Sequence, residues 1–568
     1  MCGIAGIISE NPKETALKTM LKKQSHRGPD HTGVFMDKGF ARLGHNRLSI
    51  IDLSPEANQP FCDLSKRYYL TFNGEIYNYK ELKLELKHVY RFQTSSDTEV
   101  LLAAFMHWGK ECLHKLNGMF SFAIWDTQEK TLFAARDRFG VKPFYYFSGN
   151  GFFYFASEIK SILSVTKFNS PNKKVWANYF KYGSYGMSHE TFYKDINQLP
   201  GGYSLEYSKG TLSISRWYNF EARIKDTPNN YEFHQAKEYY LEMLRDSITL
   251  RFRADVPVGF NISGGVDSSL LLALVNLSKE KSNINAYTFY TGDKRYDELP
   301  WVKEMISYTD NPLHKVKFVA SEVEKDNEFI SKIQDEPFGG IPTLAYSKIF
   351  KQAHNDGIKV LLDGQGMDEQ WAGYDYYLNS RNTTIQGTGN LSPFRKNVLN
   401  PEFAKYSVKP EYPEPFENRL QNLQYRDLFY TKIPRALRFN DRVSMAYSTE
   451  LREPFLDHRL VEFAFAQPQN FKIKGEVQKF LIREILSQIT SREISHAPKR
   501  PLQTPQREWL GDELKKYVSE NLENLKSCVL ADWFDHQEIE KEWKKYLAGD
   551  NYSSFHIWQW INAAQLLA

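Results

Sequence analysis

Along the first 160 residues, apolar and polar positions alternate in short runs, the period of half-buried strands. The pattern predicts strands at Arg67–Asn73, Met119–Trp125, Leu132–Ala135 and Phe152–Ala156, with short helices between them. Asn73-Gly74 and Gly149-Asn150-Gly151 have the composition of tight turns. Residues 175–230 are loop-rich and end in the polar stretch Asp226-Thr227-Pro228-Asn229-Asn230, which marks a boundary. Beyond it, longer helical patterns alternate with short apolar strands at Val256–Ile262, Ala286–Tyr290, Lys315–Val319 and Lys359–Leu362. That alternation predicts a parallel sheet covered by helices. From about residue 415 the pattern is mainly helical, and residues 380–412 read as a mobile insertion. The expected organisation is two domains, 1–215 and 230–568, the first mixed and rich in antiparallel sheet.

The length agrees, since 568 residues exceed what one core sustains, about 250–300 residues. Lys and Arg number 73 against 69 Asp and Glu, a formal charge of +4. Such a balance offers no long-range field for nucleic acid or an anionic membrane. The four cysteines (Cys2, Cys62, Cys112, Cys528) are scattered and form no CxxC pair. Zinc sites and disulfide frameworks are therefore not expected, and a reducing cytoplasm is. The amino terminus lacks the positive n-region of a signal peptide, and Glu10 interrupts its apolar stretch. No apolar run reaches the length that spans a bilayer, about 18 residues.

Four features of the first domain suggest chemistry. Cys2 precedes Gly3, and cysteine is small enough for Met1 to be removed. The α-amine, with a pKa near about 8, could then act as base for its own thiol. The alternative is a small apolar residue entering the first strand. Asn73 and Gly74 make either a hairpin turn or an oxyanion hole from the Asn73 amide and the Gly74 N–H. Ser96-Asp97-Thr98-Glu99 reads as a capping box, which leaves Asp97 free to hold a substrate ammonium at the same helix start. Arg47 is a surface arginine or a fork for an α-carboxylate.

The second domain carries Asn261-Ile262-Ser263-Gly264-Gly265-Val266-Asp267-Ser268-Ser269 between an apolar strand and the helix Ser268–Leu277. Glycines admit phosphate close to the backbone, hydroxyls donate to it, and a helix start favours its charge. The spacing is not that of a Walker A loop. A second loop, Asp363-Gly364-Gln365-Gly366-Met367-Asp368-Glu369, leaves the next strand. Both loops lie at the carboxyl ends of predicted strands, where open sheets bind ligands. Asp267 and Asp368 are candidate Mg²⁺ ligands. Lys479 is either a solvated lysine or a cation for the leaving pyrophosphate.

In order and spacing, MCGIAGI, HRGPD (26–30), GHNRLSIIDLS (44–54), NQP (58–60), FNGEIYNY (72–79), SSDTE (95–99), NGMFSFAIWD (117–126) and RDRFGVKPFYY (136–146) resemble a class II glutamine amidotransferase. SGGVDSS, DGQGMDE, DRVSMA with ELREPFLD, and KFLIR extend the resemblance to glutamine-hydrolysing asparagine synthetases of the bacterial type. The resemblance implies an α+β N-terminal-nucleophile glutaminase domain with stacked antiparallel sheets between helices. It implies a second, α/β domain of ATP-pyrophosphatase type with a parallel sheet and a largely helical carboxyl-terminal part. Cys2 would be the nucleophile, with Asn73 and Gly74 stabilising its tetrahedral intermediate. Arg47, Leu48, Ser49, Ile50, Ile51, Glu75 and Asp97 would hold glutamine. Asn261, Ser263, Gly264, Gly265, Asp267, Ser268, Ser269, Phe289, Asp363 and Gly364 would hold ATP, and Asp267 and Asp368 Mg²⁺. Lys479 would act in adenylation and Gln365 would face the acceptor. Ammonia would cross an internal tunnel to an acyl-adenylate. The partners implied are small molecules (glutamine, ATP, a carboxylate), with a homodimer as a family-level expectation.

Three stretches depart from the family. Asp363 and Gln365 stand where it carries Ser and Glu, residues 499–505 read Lys-Arg-Pro-Leu-Gln-Thr-Pro, and residues 199–202 read Leu-Pro-Gly-Gly. Gln365 cannot take a proton, so another base is required or the acceptor differs. The leading expectation is asparagine made from aspartate; the alternative is the same amidation of another carboxylate, such as a uronic acid.

Overall fold

The computed structural model describes residues 2–166, 169–277, 284–379, 381, 383–385, 392–497 and 503–566. Met1, residues 499–502 and part of the 380–412 segment, on which sequence expectations fell, lie outside them.

The amino-terminal half carries β1 (Gly3–Ile8), β2 (His31–Asp37), β3 (Ala41–Arg47), β4 (Phe61–Cys62), β5 (Tyr68–Ile76), β6 (Gly118–Asp126), β7 (Thr131–Arg136), β8 (Tyr145–Gly149), β9 (Phe152–Ala156), β10 (Asn197–Gln198), β11 (Tyr203–Ser208) and β12 (Thr211–Arg216). They form two antiparallel sheets, β10-β8-β9-β1-β3-β2 and β12-β11-β7-β6-β5-β4. Strand alternation builds the layers. Ile4 and Ile8 of β1 meet Ala123 and Trp125 of β6 between the sheets. Ala5 and Ile7, on the other face, meet Leu17 and Leu21 of helix Glu14–Lys23. Phe120 and Phe122 of β6 turn outward onto Val100 and Leu101 of helix Asp97–Trp108. The result is helices, sheet, sheet, helices.

The carboxyl-terminal half holds β13 (Val258–Asn261), β14 (Ala286–Tyr290), β15 (Leu313–Lys317), β16 (Val360–Leu362) and β17 (Glu450–Arg452), all parallel, in the order β15-β14-β13-β16-β17. Val360 and Leu362 face Leu270 and Leu274 of helix Val266–Asn276, while Leu361 faces the side of Leu344 on helix Ile341–Asn355. Strands buried on both faces read as apolar runs.

Two expectations are corrected. Asn73-Gly74 is no turn: β5 runs on to Ile76, and the pair lies opposite Ser121 and Phe120 of β6. The loop-rich stretch contains the β11–β12 hairpin. The part from about residue 415 is mainly helical, as expected, and adds β17, whose carbonyl at Arg452 accepts the Asp363 N–H at 3.0 Å. Within 380–412, the described residues Leu399 and Phe403 are buried, and the Asn400 N–H reaches the Trp533 carbonyl.

Candidate active sites

Cys2 lies buried at the start of β1, beside Asn73 of β5 in the facing sheet. The Cys2 backbone N–H donates to Asn73 Oδ1 at 3.0 Å, and the thiol lies 3.9 Å from the Leu48 carbonyl. Asn73 is fully buried and its Nδ2 has no partner, a costly state unless a ligand oxygen takes it. Gly74 has φ +155°, and a Cβ there would lie 2.1 Å from the Met119 carbonyl. Burial pushes the Cys2 thiol above its ordinary pKa.

Glu75 and Asp97 are buried nearby, and the Asp97 carboxylate accepts the Ile76 N–H at 2.9 Å. Burial raises Glu75 well above the carboxylate range and pushes Asp97 up to about 6. Arg452 of the other half stands 3.4 Å from Glu75 and 2.5 Å from Glu450. With their pKa values raised by burial, Glu75 and Asp97 would gain from a bound ammonium, which favours their ionised forms. Ser96 caps its helix through the Thr98 N–H, but Glu99 accepts the Gln93 and Thr94 N–H groups, so the expected capping box is half formed. Arg47 is buried, and its guanidinium holds the carbonyls of Asp52 and Ser54 and the Asn58 side chain. Leu48, Ile50 and Ile51 pack into the core, and the Ser49 N–H meets Asp30.

The second site is a cavity of about 370 Å³ at the carboxyl ends of β13 and β16. Asn261, Ser263, Gly265, Asp267, Ser268, Phe289, Asp363, Gly364, Gln365, Asp368 and Lys479 all line it. Gly264 and Ser269 stand behind it: Gly264, at φ +71°, has no room for a Cβ, which would lie 2.7 Å from Trp301 Cβ, and Ser269 is fully buried. Lys479 Nζ sits 2.7 Å from Asp267 and 2.5 Å from Asp368. Burial alone would lower this ammonium's pKa, but the two carboxylates hold it above its ordinary value. Lys479 takes φ +54°, a backbone state disfavoured outside glycine and kept where structure enforces it. The Tyr346 hydroxyl accepts from Asn261 at 2.7 Å and donates to Asp363.

Sequence reasoning missed Tyr346, Lys432 and Arg435, which line the cavity from helices Ile341–Asn355 and Lys432–Met445. It also missed Gly373, where a Cβ would lie 1.9 Å from Asp368 Oδ1 and 2.2 Å from Lys479 Cε. A smaller cavity, open to a water-sized guest over about 10 Å³, lies where the two halves meet. Tyr77 and Met119 line it from one half, Arg251, Glu453 and His458 from the other.

A buried thiol beside an open amide donor, joined to a glycine-rich nucleotide-type loop, defines a two-domain glutamine-dependent amidotransferase. Residues 1–218 match the glutamine amidotransferase domain, and residues 240–568 match asparagine synthase. The chain belongs to the asparagine synthase family. It is 29% identical over 576 residues to asparagine synthetase (glutamine-hydrolyzing) 1 of Bacillus subtilis, covering 91% of this chain and 89% of that one. To asparagine synthetase (glutamine-hydrolyzing) 3 of the same organism it is 29% identical over 587 residues, covering 95% and 93%. To amidase chyE of Penicillium rubens it is 27% identical over 650 residues, covering 96% and 95%.

Proposed function

We propose that the chain makes asparagine from aspartate, with ammonia from glutamine and with ATP split to AMP and pyrophosphate. The observation that carries the reading is Lys479, buried in a strained backbone state between Asp267 and Asp368 in a nucleotide-sized cavity. In the first half, the Cys2 thiol attacks the glutamine carboxamide, and the developing oxyanion meets the free Asn73 Nδ2 donor. Asp97 and Glu75 hold the α-ammonium, and Arg47 shapes the 52–58 loop around the substrate. In the second half, the Ser263–Ser268 loop receives the pyrophosphate, and Lys479 meets the charge that develops as it leaves.

Asp267 and Asp368 supply the hard oxygen donors that Mg²⁺ takes beside nucleotide phosphates, and Gly373 keeps the space before them clear. Bound there, the ion would neutralise phosphate charge. Small molecules are the partners of this reading. No helix among the described residues is long and apolar enough to cross a membrane, and the reading places the reaction in the cytoplasm, where its substrates are.

The test is pyrophosphate release from the purified enzyme with ATP, Mg²⁺ and ammonium, comparing aspartate with uronates and other carboxylates. Aspartate-dependent release with asparagine as product is expected. Silence with aspartate and a response to another carboxylate would move the acceptor assignment.

A further inference from the structure

Amide formation releases a proton, and Gln365, which lines the nucleotide cavity and is placed beside the acceptor by the amidation reading, cannot take it. The carboxylates nearby are mostly committed. Asp267 and Asp368 hold Lys479, and Glu369, which is buried at the same cavity, accepts the Tyr374 hydroxyl. Asp363 accepts the Tyr346 hydroxyl and its own neighbour's N–H at Gly364. Asp137 borders the small cavity, but its two oxygens accept the N–H groups of Phe120, Phe139, Val141 and Lys142.

Glu453 differs from all of these. It follows β17, is 4% exposed, and its Oε2 is buried without a partner. It lines the small cavity where the two halves meet, and it directly follows Arg452, whose carbonyl accepts the Asp363 N–H at 3.0 Å in the loop that carries Gln365. It thus stands where the cavity between the halves adjoins the strand that fixes the Gln365 loop. We propose that Glu453 is the base that takes the proton released when ammonia attacks the acyl-adenylate. This rests on the amidation reading above.

The step balances. The ammonia lone pair forms the C–N bond, and the bond from the acyl carbon to the AMP phosphate oxygen breaks with its electron pair on AMP. One N–H proton passes to Glu453 Oε2, which leaves a neutral amide. The charged and titratable groups facing this carboxylate are Asp363, Lys142 and Arg251, with Tyr77, Asp137, Arg138 and His458 around the same cavity. Burial, then Asp363, raise the Glu453 carboxyl well above its ordinary range, so its proton affinity moves toward that of the nitrogen it must relieve. Burial drives His458 the other way, well below the ordinary imidazole value, which makes it the poorer base.

The test is Glu453→Gln in the full-length enzyme, read in three assays. Asparagine formation from saturating ammonium is expected to fall about 100-fold or more, the usual weight of a positioned base. Aspartate-dependent ATP–pyrophosphate exchange and glutamine hydrolysis are expected to keep their wild-type rates. Adding Gln365→Glu returns a carboxylate to the acceptor end and is expected to restore asparagine formation about 10-fold. Undiminished asparagine formation by E453Q overturns the proposal. If E453Q also loses exchange, the double variant decides: restored synthesis supports the base, and its absence overturns it. A wild type that makes no asparagine removes the reading on which this rests, whereas an E453Q enzyme as fast as an active wild type removes the base alone.

Discussion

Gly373 shows how little room the adenylation site has. A methyl group there collides with Asp368 Oδ1 and Lys479 Cε together, inside any permitted contact distance. Gly373→Ala is therefore expected to reduce aspartate-dependent ATP–pyrophosphate exchange about 100-fold, the cost of displacing a reacting group by about 1 Å. Glutamine hydrolysis should be spared, because the thiol site lies in the other half; both rates can be read on one preparation. The complementary variant is Cys2→Ala. It is expected to abolish glutamine-driven synthesis and leave ammonium-driven synthesis intact, which an asparagine assay with each nitrogen donor checks. The two residues were not equally legible. Cys2, Asn73 and Asp97 announce themselves as a set through order and spacing. Gly373 is one glycine in a loop, and only the approach of Lys479, 106 positions later in the chain, gives it meaning. Tyr346 was hidden in the same way, on an amphipathic helix whose pattern records burial and not the partner.

At the level of elements, the long alternating and apolar runs were readable, and the short ones were not. β13 and β16 were placed to within two residues of their observed ends, because buried parallel strands show as short, mostly apolar runs. β17 escaped because three residues, two of them charged, carry no period. Asn73-Gly74 misled because its turn composition is local, whereas pairing to Phe120 and Ser121 is set by the sheet. A buried charge gives a test at this scale. Lys472 ends the short helix Gln469–Lys472 and is 1% exposed, its Nζ bonded to the Phe465 carbonyl and Gln424. Burial drives its pKa down to about 7. The unfolded chain therefore binds a proton that the folded one lacks between about pH 7 and pH 10, so folding stability rises with pH across that window. Lys472→Met is expected to flatten this slope by up to about 1.4 kcal/mol per pH unit. Denaturant midpoints measured from pH 7 to pH 10 provide the check.

For the whole molecule, the two halves meet through charge as well as apolar packing. Arg27 is fully buried and donates to the Cys2 carbonyl at 3.0 Å, to Glu158 at 3.1 Å, and twice to Asp441 of the other half at 2.8 and 3.0 Å. Removing one partner of a buried network leaves the others uncompensated. Arg27→Met is expected to lower stability by about 3–5 kcal/mol and to raise the ratio of glutamine consumed to asparagine made. Thermal unfolding and product ratios measure the two effects separately. The same traffic runs back through β17. Its Leu451 carbonyl holds Lys142 of the amino-terminal half, its Arg452 carbonyl fixes the Asp363 loop, and its Arg452 side chain stands against Glu75 in the glutamine pocket. Two consecutive residues thus belong to both halves. A carboxyl-terminal half without an arginine at this position would leave the glutamine pocket short of its counter-charge, so the donor site is completed only by the half that uses its product.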